Sequence, residues 1–199
     1  MEIKRIAKKD LSDLVTAHKE AFEDFFLTKL GDKFLYVYYD CIRKDDKGLL
    51  IGSYEEGKLI GFCAATFLSQ GYYSHLVKDN FLIFALIGVR LFFTDFPALI
   101  RLLCNLTKKG SDGKDKGEYA EVLSIGVVPG NQGKGIGRKM LLYVEDELKT
   151  MGSAKLSLTT DFLNNDKAIG LYNSLGYSVL YDFSTYPNRR MYRLIKNIK

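Results

Sequence analysis

Cysteine and histidine are scarce in this sequence, and their spacing excludes a zinc-binding fold. The chain of 199 residues has three cysteines, Cys41, Cys63 and Cys104, and two histidines, His18 and His75. The cysteines lie far apart and form no C-x-x-C pair, so no zinc signature can be assembled from them. We therefore predict reduced, mostly buried thiols, as in cytosolic proteins, and no metal site.

Segments that would direct the chain into or through a membrane are also lacking. The first ten residues, Met-Glu-Ile-Lys-Arg-Ile-Ala-Lys-Lys-Asp, contain no apolar core, so we predict no secretory signal and a cytoplasmic location. The longest apolar run, residues 81–93, is about two-thirds of the ~20 residues that a membrane-spanning helix needs, and it contains Arg90. We predict no membrane span.

Charge and length set two further bounds. The net charge of +5 comes without a dense basic face or a known binding motif, so we predict no nucleic-acid partner. The hydrophobic fraction of 47% is enough to build a substantial core in a chain of this length. We predict a single domain over residues 1–199.

A strand, a glycine-rich turn and a helix follow one another in the second half of the chain. The strand is predicted at Glu118–Val128, the turn at Gly130–Gly137 and the helix at Gly137–Met151. The first N–H groups of such a helix have no internal partner, and the helix dipole places partial positive charge there. The glycines allow close approach of an anion, to which Lys134 and Arg138 add charge. This arrangement is typical of a phosphate site.

Two common phosphate motifs do not fit the spacing of these glycines. A dinucleotide-binding G-x-G-x-x-G that begins at Gly133 would need glycine at position 138, which is Arg138. A P-loop would need glycine in place of Val128, and serine or threonine in place of Gly135.

The turn instead resembles the Q-x-x-G-x-G/A pyrophosphate loop of the GNAT superfamily of acyl-CoA N-acyltransferases, through Gln132, Gly135 and Gly137. Residues Asn165–Tyr177 are similar to the N-x-x-A-x-x-[LF]-Y-x-x-x-G-[FY] signature of the same superfamily at every defined position. The resemblance implies an α/β fold with a mixed central sheet of about seven strands flanked by helices. It also implies acetyl-CoA as acyl donor, and it covers the chain apart from an insertion at about 71–117.

The resemblance further implies which residues hold the cofactor. The backbone of the central strand would pair with the pantetheine amides, and the glycine loop would hold the pyrophosphate. Asn165 would contact the cofactor arm, and Tyr172 would lie near its sulfur. The implied contacts on the strand and loop are Ile125, Gly126, Val127, Gln132, Gly133, Lys134, Gly135, Ile136, Gly137 and Arg138.

The implied reaction is attack of an amine on the thioester carbonyl of acetyl-CoA in a ternary complex. An alkylamine has a pKa near ~10.4, so it is mostly charged at neutral pH, and a base helps by ~10²–10⁴-fold. Glu121 is the candidate base because it lies eleven residues before Gln132, as in the nuclear histone acetyltransferases of the superfamily. Its alternatives are a solvated strand residue or a partner of a lysine. Tyr172 is the expected acid, with a core tyrosine as its alternative. A backbone N–H at a strand bulge near Val127 would stabilise the oxyanion.

The remaining pattern predicts the elements around this site. A first helix carries His18 on its apolar stripe, which favours a packed or surface histidine over a catalytic one. A second helix is predicted at Thr28–Arg43. In the insertion we predict a buried helix or helical pair, broken near Pro97, and a polar loop at Lys108–Gly117. The insertion would pack on the domain, on a partner subunit or on a membrane surface.

The acceptor amine is not specified by the sequence. Amino sugars, protein α-amines, polyamines and free amino acids all remain open, as does a homodimer. Two other functions also remain open, namely a non-catalytic CoA-binding module and a membrane-surface or assembly protein.

Overall fold

The computed structural model describes residues 1–106, 115–185 and 188–199. Within them, seven strands form one mixed sheet flanked by helices, which confirms the predicted α/β class. The strands are β1 Glu2–Arg5, β2 Gly48–Glu55, β3 Lys58–Thr66, β4 Ala120–Val127, β5 Lys155–Asp161, β6 Ser178–Thr185 and β7 Arg189–Asn197. The helices are α1 Leu11–Ala21, α2 Phe26–Lys29, α3 Asp32–Lys44, α4 Tyr72–Asp79, α5 Phe81–Thr94, α6 Phe96–Leu106, α7 Ile136–Thr150 and α8 Asp166–Ser174.

The chain divides into two compact units. The first unit comprises Met1–Phe67 and Glu121–Ser153, and the second comprises Leu68–Ala120 and Ala154–Lys199. The prediction of a single domain over residues 1–199 stays a prediction. The side chain of Cys104 and most of the predicted loop Lys108–Gly117 lie outside the described residues. Cys41 and Cys63 are buried free thiols, as predicted.

In the first unit, β1, β2, β3 and β4 pair in that order, each antiparallel to the next. The turn between β2 and β3 is tight, because Glu56 and Gly57 both have positive φ, at 51° and 80°. Helices cover both faces of these strands. A Cβ added at Gly61 of β3 would meet Met140 and Ile136 of α7, whereas the ring of the next residue, Phe62, lies against His18 of α1. Successive strand residues point to opposite faces, so α1 and α7 pack on opposite sides of the sheet.

The prediction of one helix at Thr28–Arg43 is wrong, because two helices occupy this segment. The short helix α2 ends at Lys29, and α3 begins at Asp32. Between them Gly31 has φ of 89°, which no residue in a right-handed helix adopts. The carbonyl of Gly31 accepts the N–H of Leu35 at 3.1 Å, so this glycine caps the start of α3.

The alternation predicted along the central strand fails at Leu123. Ser124 pairs with Ala64, but Val122 pairs with Ala65, so Leu123 is an extra residue without an opposite partner in β3. Such a β-bulge bends the strand and shifts the side chains that follow it to the other face. The side chains from Glu121 to Val127 therefore do not share one face.

In the second unit, β7 lies between β5 and β6 and is antiparallel to both. A carboxylate anchors the segment that leads to β4. Asp115 accepts hydrogen bonds from the hydroxyls of Tyr119 and Tyr181, both at 2.5 Å, and from the N–H of Gly117 at 2.9 Å. These bonds fix the chain where the described part resumes, at the end of the insertion.

The described part of the insertion is helical, as predicted, but α5 is not buried. Leu91 is its one buried residue among those described. The described part of the insertion forms three helices, α4, α5 and α6, instead of one helix or a pair. The break lies at Asp95, whose carboxylate accepts the N–H of Ala98 at 3.0 Å. Pro97 follows the break, in the first turn of α6, where proline is tolerated.

Candidate functional site

The glycine-rich turn lies between the end of β4 and the start of α7. After a 3₁₀ turn at Pro129–Asn131, Gly133 and Gly135 both have left-handed φ, at 79° and 74°. A Cβ added at either glycine would meet nothing within 4 Å. Both glycines are therefore needed for their backbone conformation, and the space beside them is open.

The first N–H groups of α7 come before the first hydrogen bond within the helix, so the helix itself does not pair them. That bond runs from the N–H of Lys139 to the carbonyl of Gly135 at 3.1 Å. The N–H groups of Ile136, Gly137 and Arg138 precede it, at the positive end of a helix of 15 residues. The side chains of Lys134 and Arg138 are exposed beside it. The arrangement suits a phosphate group.

The side chain of Gln132 connects this loop to the end of β4. Its Nε2 donates a hydrogen bond to the carbonyl oxygen of Val127 at 3.1 Å. The loop is thereby held against the strand that precedes it. This contact gives Gln132 a structural role in the loop, alongside the contact with pyrophosphate that the resemblance implies.

Three residues of β4, Ile125, Gly126 and Val127, are predicted to contact the cofactor through their backbone. In two of them the peptide groups point away from β3. The N–H of Val128 donates to the carbonyl of Ile60 at 3.1 Å. Because orientation alternates along an antiparallel pair, the peptide groups of Gly126 also face β3, while those of Ile125 and Val127 face the opposite edge of β4. The sequence did not distinguish these three positions.

Gly126 is required for packing. A Cβ there would lie 2.8 Å from Cε1 of Phe62, closer than real Cβ contacts, and 3.0 Å from Cβ of Ala21, tighter than most of them. Glycine at this position lets α1 approach the strand.

The bulge in β4 was predicted near Val127, and this prediction is wrong. The register places the extra residue at Leu123, four positions earlier. The bulge depends on how β4 pairs with β3, and no residue type near Leu123 signals it.

Glu121 lies on β4 before the bulge, opposite Thr66 of β3. The side chain is buried, with 7% exposure. Burial contradicts the alternative of a solvated strand residue. The role of Glu121 as base stays a prediction.

Tyr172 and Asn165 belong to the second unit. Tyr172 lies on α8 with 8% exposure, and its ring centroid is 6.0 Å from that of Tyr177. Asn165 immediately precedes α8, at the position of its N-cap. Its side chain does not cap the helix but donates from Nδ2 to Oγ1 of Thr160 at 2.5 Å. This contact connects the start of α8 to β5.

A hydrogen-bonded chain in the first unit, two of whose three side chains are buried, was not found from the sequence. Nδ1 of His18 lies 2.7 Å from the hydroxyl of Tyr39, which lies 3.3 Å from Oγ of Ser124 on β4. His18 is therefore a packed histidine, not a surface one. Burial lowers its pKa to about 4, and burial raises the pKa of Tyr39. The apolar spacing around His18 indicated burial, but no local signal joined it to Ser124.

Known proteins resemble this chain both in sequence profile and in fold. A profile of the Acetyltransferase (GNAT) family matches residues 12–177. The chain belongs to this family. Membership confirms the resemblance seen in the sequence and supports an acyltransferase activity. None of the curated protein sequences compared with the chain matches it.

Solved structures of GNAT proteins share the fold over the whole chain. The ribosomal-protein-S18-alanine N-acetyltransferase from Escherichia coli is similar with a TM-score of 0.64 and 17% identity, over 100% of this chain and 94% of that one. An aminoglycoside 6'-acetyltransferase type Ii has a TM-score of 0.62 and 14% identity, over 100% and 98%. The putative acetyltransferase yncA from Salmonella typhimurium, solved with its cofactor acetyl-CoA, has a TM-score of 0.63 and 17% identity, over 100% and 94%.

Among the described residues, no helix combines the length and the apolar character needed to cross a membrane.

Proposed function

We propose that this protein is an N-acetyltransferase that transfers the acetyl group of acetyl-CoA directly to a primary amine in a ternary complex. The observation that carries the proposal is the start of α7, where two left-handed glycines leave open space before a row of N–H groups. In a chain of the GNAT family, the natural occupant of such a site is the pyrophosphate of CoA.

The cofactor would be held by the backbone more than by side chains. The N–H groups at the start of α7, with Lys134 and Arg138, would bind the pyrophosphate. The peptide groups of Ile125 and Val127 would pair with the amides of the pantetheine arm. Asn165, already held by Thr160, would contact the same arm.

The chemistry needs a base, an oxyanion donor and an acid. Glu121 would take the proton of the attacking amine, whose nitrogen then forms the bond to the thioester carbonyl carbon. A backbone N–H of β4 would stabilise the tetrahedral oxyanion. As the C–S bond breaks, Tyr172 would give its proton to the leaving thiolate. No metal takes part in these steps, and we place the enzyme in the cytoplasm.

The acceptor class is best approached through the related enzymes. One similar structure is named for the alanine of a ribosomal protein and another for an aminoglycoside. A peptide α-amine and an amino sugar are therefore the first two acceptors to test, followed by polyamines and free amino acids.

The first test measures binding of acetyl-CoA through the shift that it causes in the thermal unfolding of the protein. A ligand at 100-fold excess over its Kd stabilises the native state by about 2.7 kcal/mol, which is about 5–10 °C in Tm for a chain of this size. We expect this shift in the wild type and its loss in Gly135→Asp, where a carboxylate would enter the phosphate site. Gly57→Asp is the matched control, because Gly57 has φ of 80° and open space like Gly135. A wild type without a shift would refute the cofactor site.

The second test separates an enzyme from a CoA-binding module. Release of the CoA thiol is followed with acetyl-CoA and a panel of the amines named above. The proposal expects release with at least one acceptor class and its loss in Gly135→Asp. A full thermal shift without thiol release from any amine would instead support the non-catalytic module.

A further inference from the structure

Helix α5 carries a row of exposed apolar side chains along one side. The four residues Leu82, Leu86, Val89 and Phe93 are 77%, 71%, 58% and 80% exposed. They follow one another at intervals of four, three and four residues, which places them on one face of the helix. We call these four residues the α5 stripe.

The opposite face of α5 is already occupied. Leu91 is buried, and a Cβ added at Gly88 would lie 4.0 Å from Leu99 of α6. The high exposure of the stripe shows that no other described element covers it.

The exposed area is large for a monomer. Phe81 and Phe92 flank the stripe and are 64% and 55% exposed. An aromatic side chain carries about 150–250 Å², so these two and Phe93 alone expose roughly 300–500 Å². The largest apolar patch on a typical monomer is about 300–600 Å² in total. With Leu82, Leu86 and Val89 added, the surface approaches the ~800 Å² per partner of a stable interface.

We propose that the α5 stripe binds the same stripe of a second copy of this chain, in a twofold homodimer. Apolar residues at intervals of four, three and four form the line of contact along which one helix packs on another. A twofold axis brings identical surfaces together, so a single apolar stripe is its own complement. The only charged residue of α5 is Arg90, and cores of protein interfaces are depleted of charge in the same way.

A second copy explains α5 better than a lipid surface does. Helices that lie in the membrane interface carry a polar face rich in lysine and arginine. On α5 the face opposite the stripe packs against α6 instead, and Arg90 is the one basic residue.

The test is the mass of the protein in solution, from sedimentation velocity at about 1–100 µM, which spans the Kd range of weak to moderate dimers. We expect the wild type to reach twice the 22.6 kDa of one chain. Leu86→Glu and Val89→Glu should each weaken the dimer by at least ~30-fold, because each puts a charge in the centre of the interface. Val179→Glu is the control, since Val179 is an exposed apolar residue of β6 at 54% exposure, and it should dimerise as the wild type does.

Circular dichroism of each variant separates loss of the dimer from loss of the fold, and glutamate is a good helix former at both α5 positions. A wild type that stays monomeric overturns the proposal, as does a dimer that both α5 variants leave intact. Vesicles of phosphatidylcholine with phosphatidylglycerol provide a further arm. A monomer that sediments with these vesicles, and loses this in Leu86→Glu, would assign the stripe to a membrane surface instead.

Discussion

The buried His18 should make the stability of the protein fall steeply in mild acid. Its side chain is 2% exposed, and Nε2 has no hydrogen-bond partner among the described residues. The rings of Phe22, Tyr39 and Phe62 have centroids 5.0, 5.6 and 5.8 Å from its own. A neutral imidazole can satisfy Tyr39 through Nδ1 in either tautomer. An imidazolium would need an acceptor for a second N–H in this aromatic pocket.

The sign and size of the effect follow from the pKa. Burial lowers the pKa of His18 from 6.5 to about 4, so between these values the unfolded chain binds the proton and the folded chain does not. The stabilisation is therefore complete above pH 6.5 and is lost as the pH falls towards 4. Linkage across these two pKa values gives a loss of about 2 kcal/mol between pH 7 and pH 5, and of roughly 3 kcal/mol by pH 4.

The assay is urea unfolding at pH 7 and pH 5 for three proteins. Carboxylates also titrate in this range, so the informative quantity is the difference between the wild type and His18→Gln, which cannot charge and still offers Tyr39 a hydrogen bond. The wild type should lose about 2 kcal/mol more than this variant between the two pH values. His75→Gln is the control, because His75 is the only other histidine and is partly exposed. If the wild type and His18→Gln lose the same free energy, the argument from burial is refuted.

Three further perturbations have expected outcomes of their own. Tyr172→Phe should lower kcat by about 10²-fold or more while the thermal shift with acetyl-CoA persists, because a general acid acts after binding; unchanged kcat would leave Tyr172 as a core residue. Asp115→Asn should destabilise the protein by about 1–3 kcal/mol at pH 7, because Tyr119 and Tyr181 lose a charged acceptor. Burial alone would raise the pKa of Asp115, but these hydrogen bonds lower it below 3.8. The difference in free energy of unfolding between Asp115→Asn and the wild type should therefore shrink only below pH 3.8. A difference that stays constant there would contradict this reasoning. Gly61→Ala should cost about 1–3 kcal/mol in urea unfolding, because its Cβ would lie 3.1 Å from both the Gly126 carbonyl and Met140; an equal effect from an alanine at Gly130, where space is open, would show that loss of glycine alone is responsible.

The parts of the site that could be predicted depend on local backbone chemistry. Gly133 and Gly135 adopt φ values that other residues rarely adopt, so their positions in the sequence already located the turn and the start of α7. Asn165 and Tyr172 came from the resemblance of residues 165–177 to a family signature, which is also a pattern within a few residues. Each of these signals is contained in one short segment.

The parts that could not be predicted depend on contacts between distant segments. The bulge at Leu123 exists only because β4 pairs with β3 on both sides of it in different registers. The chain from His18 through Tyr39 to Ser124 joins residues 21 and 85 positions apart. No spacing rule within a single element relates such residues.

Helix α5 shows why composition does not reveal which side of a helix is covered. Its inward face is apolar around Leu91, and its outward face is apolar along Leu82, Leu86, Val89 and Phe93. From the sequence both faces satisfy the requirement for burial, so the pattern predicted a buried helix without a preferred side. The structure removes this ambiguity, because α6 covers only one of the two faces. The uncovered face has the spacing of a helix–helix seam, and this spacing is why we propose that a helix of a second copy covers it.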